Sequence, residues 1–318
     1  MNVGLLGEVQ VVVKRADGSV KLDTGFFSNV ITNLGLDAIG NNIDIMQVCA
    51  IGTGNVEPKE TDTGLVSYIG SGTILSDSYT DTYDPKVTDY YKCSRTRGFR
   101  FSGLSNVNIS EVGLVSTPDK SAHRTYTRTL IKNSAGSPIT ITVLAGEILE
   151  LQYRLWQVFD IRDKKAVVNA MIDGVSVPYN VTVRAAGVGG TSLGVGGVGV
   201  WSHKSAVGKG VSYNGGNYIQ YSTQKLGAIT GSPASPTIPT TDVQWKPYSP
   251  STYKRSFTFS NSITVANMAI RSILLCTGLG AYQIEFGTVD GDLPITKTNE
   301  DIFSVEFELS WGRYQGVI

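Results

Sequence analysis

Residues 97–115 read Arg-Gly-Phe-Arg-Phe-Ser-Gly-Leu-Ser-Asn-Val-Asn-Ile-Ser-Glu-Val-Gly-Leu-Val, and residues 148–156 read Ile-Leu-Glu-Leu-Gln-Tyr-Arg-Leu-Trp. Phe99 and Phe101 flank a charged residue, and Leu149, Leu151, Tyr153 and Leu155 alternate with polar ones. Alternation with period two puts apolar side chains on one face of a strand and polar ones on the other. Between these runs lie Thr125 to Ile131, the turn Asn133-Ser-Ala-Gly-Ser-Pro138, and Ile139 to Leu144. Each run is short and bounded by turn chemistry, the spacing expected of an antiparallel sandwich or barrel.

Moving toward the N-terminus, Val9 to Val13 and Val20 to Asp23 flank Ala16-Asp17-Gly18-Ser19. An Asp-Gly between apolar runs predicts a hairpin. In residues 26–40, Val30, Ile31, Leu34 and Ala38 recur near helical spacing. Ser28 or Asn29 could cap this helix and Gly40 end it, while Gly35 weakens it. Met46 to Gly52 predicts a buried strand. The Ser-, Thr-, Asp- and Tyr-rich residues 67–98 predict a long exposed excursion with strand pieces.

The chain repeats itself. Phe99-Arg-Phe101-Ser pairs with Phe257-Thr-Phe259-Ser, and Ile109-Ser-Glu-Val112-Gly-Leu114 with Ile270-Arg-Ser-Ile273-Leu-Leu275. Ala135-Gly-Ser-Pro138-Ile-Thr140 pairs with residues 290–296, and Leu151-Gln-Tyr153-Arg-Leu155 with Val305-Glu-Phe307-Glu-Leu309. A Trp closes each copy, at 156 and 311. Order is preserved; chance similarity between two β-rich segments is the competing explanation. The charged run at 157–165 breaks the alternation, and a second Asp-Gly hairpin follows at Asp173-Gly174. The expected fold is therefore all-β: two related antiparallel β-sandwich domains, jelly-roll-like, at 1–160 and 161–318. One short helix is expected, with long Gly/Pro-rich loops. Glycine dominates 185–217 and proline 230–250, so both are expected to be flexible loops or arms.

Composition narrows the function. Hydrophobic residues make up 41% of the 318 and charged residues only 17%, against about a quarter charged in ordinary globular chains. Neutral polar groups must therefore cover the surface. The 27 basic residues balance the 27 acidic ones, whereas a nucleic-acid binder needs local positive charge. The short basic run Arg95, Arg97, Arg100 is expected to be a solvated or cross-strand-paired face. Cys49, Cys93 and Cys276 are odd in number and widely spaced, unlike a disulfide framework or a zinc site. No signal peptide or membrane-spanning run is visible, so synthesis in a cytoplasm and no membrane insertion are expected.

Catalytic, metal and cofactor residues are expected to be none. His123 and His203 are the two histidines, without HExxH spacing, and neither a GxSxG elbow nor a P-loop occurs. The glycines at 187–199 fit GxGxxG only by force. Asp77, Asp81 and Asp84, with Asp89 nearby, are the densest carboxylates. Solvated loop residues are the plain reading; a calcium site or a glycosidase pair are the sharper ones. Tyr79, Tyr83, Tyr90 and Tyr91 offer large contact area with a polar tip, which suits an interface or a sugar. Cross-strand packing within one sheet is the alternative.

Ser28-Asn-Val-Ile-Thr-Asn-Leu-Gly-Leu-Asp-Ala-Ile-Gly40, Val48-Cys-Ala-Ile-Gly-Thr-Gly-Asn-Val-Glu-Pro58 and Thr61-Asp-Thr-Gly-Leu65 open a longer pattern. It continues through Phe99-Arg-Phe101, Ser110-Glu-Val-Gly-Leu114 and Arg128 to Leu155. Over residues 25–158 this resembles proteins of tailed bacteriophages known as tail fibre or virion structural proteins. The resemblance implies a non-enzymatic virion component of the tail fibre, collar or baseplate. Such a protein acts as a homo-oligomer, a trimer or ring, and docks on other tail or head proteins. Alternatives are a receptor-binding adhesin for host glycan or surface protein, and a capsid decoration or head-fibre protein. A lytic enzyme would need its activity to depend on Asp77 or Asp81.

Overall fold

The computed structural model describes residues 1–84, 89–195, 199–212, 218–236 and 242–316. The first half contributes strands β1 (Asn2–Lys14), β2 (Val20–Ile31), β3 (Val48–Gly52), β4 (Tyr68–Thr82) and β5 (Tyr90–Phe101). It continues with β6 (Val107–Ile109), β7 (Glu111–Val115), β8 (Thr127–Leu130), β9 (Ile141–Val143) and β10 (Ile148–Asp160), with helix α1 (Asn33–Gly40) between β2 and β3. Alternation builds these strands: along β1, Val3, Leu5, Val9, Val11 and Val13 turn inward, each nearly inaccessible. Complete burial of such side chains is worth about 1.5–3 kcal/mol each.

Eight of these strands run in the order β10-β5-β4-β3-β7-β8-β2-β1, and β1 pairs back onto β10, closing an antiparallel barrel. The first half is thus a barrel and not the expected sandwich. The reason is the match between its first and last strands. β1 and β10 share one alternation and pair over twelve consecutive residues, from Val3 with Phe159 to Lys14 with Ile148. Closure removes both free edges.

The second half contributes β11 (Lys164–Ile172), β12 (Val175–Ala185), β13 (Leu193–Val195), β14 (Gly199–Trp201), helix α2 (His203–Ala206) and β15 (Tyr218–Ser222). Then come β16 (Asp242–Trp245), β17 (Lys254–Asn261), β18 (Met268–Ile270), β19 (Ser272–Thr277), β20 (Gly280–Thr288), β21 (Ile295–Lys297) and β22 (Phe303–Arg313). Apart from the β13–β14 hairpin, these strands repeat β1 to β10 in order. β11-β12-β20-β19-β15 matches β1-β2-β8-β7-β3, β22-β17-β16 matches β10-β5-β4, and β18–β21 matches β6–β9. The match extends to single hydrogen bonds. Ser110 N donates to Gly52 O as Arg271 N does to Ser222 O. Ile131 N donates to Ser110 O as Phe286 N does to Arg271 O, and Thr32 N to Tyr126 O as Ala186 N to Ala281 O.

Two pairings of the barrel have no counterpart among the described residues: β15 with β16, and β11 with β22. The main strands of the second half therefore fall into a five-stranded sheet and the three strands β22-β17-β16, which continue the barrel's sheet through β1. The apolar faces of the two groups meet where Tyr221 packs on Phe259 and Phe303. The beginning of β1 takes up part of β22's open edge, as Asn2–Leu5 pair in parallel with Ser310–Arg313. This is where the two halves join. One apolar cluster runs through both, from Val3 to Trp311.

Two local expectations need correcting. β2 continues to Ile31, so the helix starts at Asn33 and Thr32 caps it, accepting from Gly35 N at 3.1 Å. Neither Ser28 nor Asn29 is the cap. Gly35 is needed there because a Cβ would collide with the carbonyl oxygen of Tyr126. The glycine-rich stretch is packed in part, with Gly189, Thr191, Ser192, Gly194 and Val200 exposed. Trp201, His203, Ala206 and Val207 are buried, and Trp201 with Ala206 joins a small cluster on Leu274 and Cys276. The proline-rich stretch docks through Tyr248, whose hydroxyl donates to Asp37 at 2.6 Å beside Trp311. Residues 196–198 and 213–217 of the first stretch, and 237–241 of the second, lie outside the described residues.

Candidate interaction surface

Five residues of the resembling pattern, Gly54, Val56, Asp62, Glu111 and Arg128, meet at one buried point. Glu111 and Arg128, both essentially inaccessible, face each other from β7 and β8 at 2.9 Å. The Glu111 carboxylate also accepts from Gly54 N at 3.0 Å, Ser67 N at 2.8 Å and Val66 N at 3.2 Å. Arg128 reaches Asp62 at 2.7 Å and Val56 O at 2.8 Å. A buried ion pair is tolerable when its polar atoms find further partners, and here every guanidinium nitrogen and both carboxylate oxygens have one. The knot ties the loop at 53–67 to the barrel. Gly113 beside it leaves room for the Thr127 carbonyl, which a Cβ would strike. A carboxylate inside the apolar run Ile109-Ser-Glu-Val-Gly-Leu114 was the sequence signal for this knot.

The four tyrosines do not form one patch. Tyr91 is fully buried, packed on Phe159 and His203, and offers no outer surface. Tyr79 and Tyr90 are each 39% exposed. Tyr79 lies on β4 opposite Arg95, whereas Tyr90 meets Tyr314 edge-on where the halves join. Tyr83 rests near Gly189. Residues 85–88 are not among those described.

The carboxylates are dispersed among cations. Asp77 accepts from Arg95 at 3.0 Å and from Arg97. Burial pulls its pKa upward, but the hydrogen bonds from Arg97 and Arg95 outweigh this and hold it below the usual range. Asp81 lies 3.8 Å from Lys204. Arg100 bonds Glu150 across the β5–β10 pair. Among the described residues no three His, Cys, Asp or Glu stand together as a metal site. His203 donates from Nε2 to Ala186 O at 2.7 Å amid Tyr91, Phe159 and Trp201. Burial pushes its pKa down to about 4.

Two surfaces stand out. A cleft of about 360 Å³ lies at the junction of the halves, lined by Tyr90, Arg162, Lys164, Arg184, Arg313 and Tyr314 among others. Arg162 and Lys164 both pair with Asp160, and Arg184 with Asp163. The second surface is β11. Residues 164–169 are exposed on both faces of the strand, with Val167 at 62%, Met171 at 69% and, past the turn, Val175 at 62%. Among the described residues only β12 pairs with β11, so its outer edge is open. The apolar character of Val167, Val168 and Met171 and the hairpin they belong to were readable, but their exposure was not. Comparison with family models, curated proteins and solved structures returns no match for this chain.

Proposed function

We propose that the chain is a structural component of a tailed-phage virion, working by self-association and by docking onto other virion proteins. The observation that carries this is the open, apolar β11 edge. A long unpaired strand with exposed valines is a template for pairing with another chain. The tailed-phage assignment leans on the resemblance over residues 25–158. Its most distinctive residues, Glu111, Arg128, Asp62 and Gly113, fasten the 53–67 loop to the barrel, so they speak for a shared building block more than for a ligand site.

A second reading is host-receptor binding at the junction cleft. Tyr90 and Tyr314 give the cleft an aromatic lining suited to a sugar ring, beside Arg162 and Arg313, which are ion-paired with Asp160 and Glu60. Antibody labelling of particles of the phage that encodes the chain tests the first reading. Label on tail, collar or head is expected, and unlabelled particles lacking the chain would refute it. Binding of the purified chain to host cells, lost in Tyr90→Ala, would favour the second.

A further inference from the structure

We propose that β11 is a self-association edge, filled by β11 of a second copy of this chain running antiparallel about a two-fold axis at Val168. The inference rests on the assembly reading above and names its partner and geometry.

The internal repeat indicates what such an edge needs. In the first half the equivalent strand, β1, is covered on the same side by an antiparallel strand over twelve residue pairs. Natural edges are otherwise guarded by bulges, charge, proline or shortness. The free stretch of β4 carries a bulge between Ile74 and Ser76, and holds Asp77 and Asp81. β16 spans only Asp242–Trp245, and β15 is buried from Ile219 to Ser222. β11 has none of these guards along most of its length. Its register with β12 runs unbroken from Lys164–Val183 to Ile172–Val175, no proline interrupts it, and its only charges are Lys164 and Lys165 at one end.

The charges select the occupant. About an axis at Val168, Lys164 stands opposite Ile172 of the second copy, Lys165 opposite Met171, Ala166 opposite Ala170, and Val167 opposite Asn169. No like charges meet, and the lysine stems lie along apolar side chains. The pairing is isologous, the commonest closed arrangement of identical chains. It joins two five-stranded sheets into one. The contact is roughly 30 Å long, nine residues at about 3.4 Å each. Such a narrow contact falls at the small end of protein interfaces, so association should depend on concentration.

Sedimentation of the full chain across a concentration series, with three variants, tests this. Wild type should pass from monomer to dimer. Val168→Lys sets like charges face to face at the axis and should stay monomeric, with the thermal midpoint that wild type shows at monomeric dilution, because Val168 is exposed. Val168→Cys should form a disulfide dimer under mild oxidation. Residues on the axis lie about 4.5–5.5 Å apart between Cα atoms, within disulfide reach. Met171→Cys faces Lys165 and should not cross-link. The native cysteines are all buried and leave the readout clean. A wild type monomeric throughout, with no Val168→Cys cross-link, overturns the proposal; label on particles would then leave the virion role standing. An oligomer that survives Val168→Lys without cross-linking also overturns it, by placing the interface elsewhere.

Discussion

The two halves of the molecule use one order of strands and end differently. In residues 1–160 the first strand finds the last and the barrel closes. In the remainder the equivalent strands, β11 and β22, stay apart. Both interiors are apolar, so the apolar face alone does not decide closure. What differs is the edge. β1 alternates buried and partly buried residues along its length, whereas β11 is exposed on both sides of its first six residues. β22, for its part, is engaged at one end by Asn2–Leu5 of the first half. The buried knots differ in kind as well. At the places of Glu111 and Arg128, fixed by the paired backbone bonds, the second half has Ser272 and Gln283. Ser272 donates to Gln224 O at 2.7 Å. Gln283 accepts from Gly227 N at 2.7 Å and donates to Ala228 O at 3.0 Å. A charged knot and a neutral one thus fill the same position.

Breaking these knots should separate the halves most strongly. Arg128→Met leaves the Glu111 carboxylate buried without its cation and should cost about 3–5 kcal/mol in urea unfolding at neutral pH. Gln283→Met removes neutral bonds only and should cost about 1–3 kcal/mol. The double change Glu111→Ser with Arg128→Gln, which copies the neutral knot, should be milder than Arg128→Met alone. Equal costs for Arg128→Met and Gln283→Met would contradict the distinction.

His203, packed where the glycine-rich segment meets β5, should make stability depend on pH. Its folded pKa is depressed by burial to about 4 from 6.5. As pH falls, the unfolded chain takes up the proton first. Its contribution is therefore complete above about pH 6.5 and is lost progressively toward pH 4, up to about 3 kcal/mol. Urea midpoints measured at pH 7 and pH 4.5 should fall in the native chain and fall less in His203→Gln.

Smaller effects sharpen the comparison. Gly113→Ala should cost about 1–3 kcal/mol through crowding against Thr127 O, although Leu274 occupies the equivalent place on β19. Tyr248→Phe removes the bond to Asp37 and should cost about 0.5–1.5 kcal/mol. That loss, read in thermal melts, would confirm that the proline-rich segment is docked on α1.

Much of this fold was legible because period-two patterns mark strands directly. Phe99, Phe101 and Leu149 to Leu155 lie in strands as their spacing predicts. The repeat was legible too, but with an offset of two residues. Sequence similarity sets Phe99 against Phe257, whereas the pairings set Phe99 on Leu151 and Phe259 on Val305. A slip of two keeps every side chain on its face, so alternation cannot detect it. Barrel closure was not legible, since it depends on β1 meeting a strand more than a hundred residues away. The Thr32 cap was hidden by Ser28 and Asn29, equally good caps that the longer β2 absorbs. Of the suspected contact residues, Tyr91 turned inward. Strand position alone does not tell which neighbour faces Phe159. Glycine content concealed the packed Trp201 and His203, two bulky rings that argue against a free arm.

Hydrogen exchange of backbone amides, at a dilution where the chain is monomeric, tests the central contrast between the halves most directly. β1 is bonded on both sides, so its amides from Gly7 to Lys14 should all be protected. In β11, alternate amides should exchange rapidly and the others, bonded to β12, slowly. Uniform protection of β11 in the monomer would contradict an open second half, and rapid exchange along β1 would contradict a closed first one.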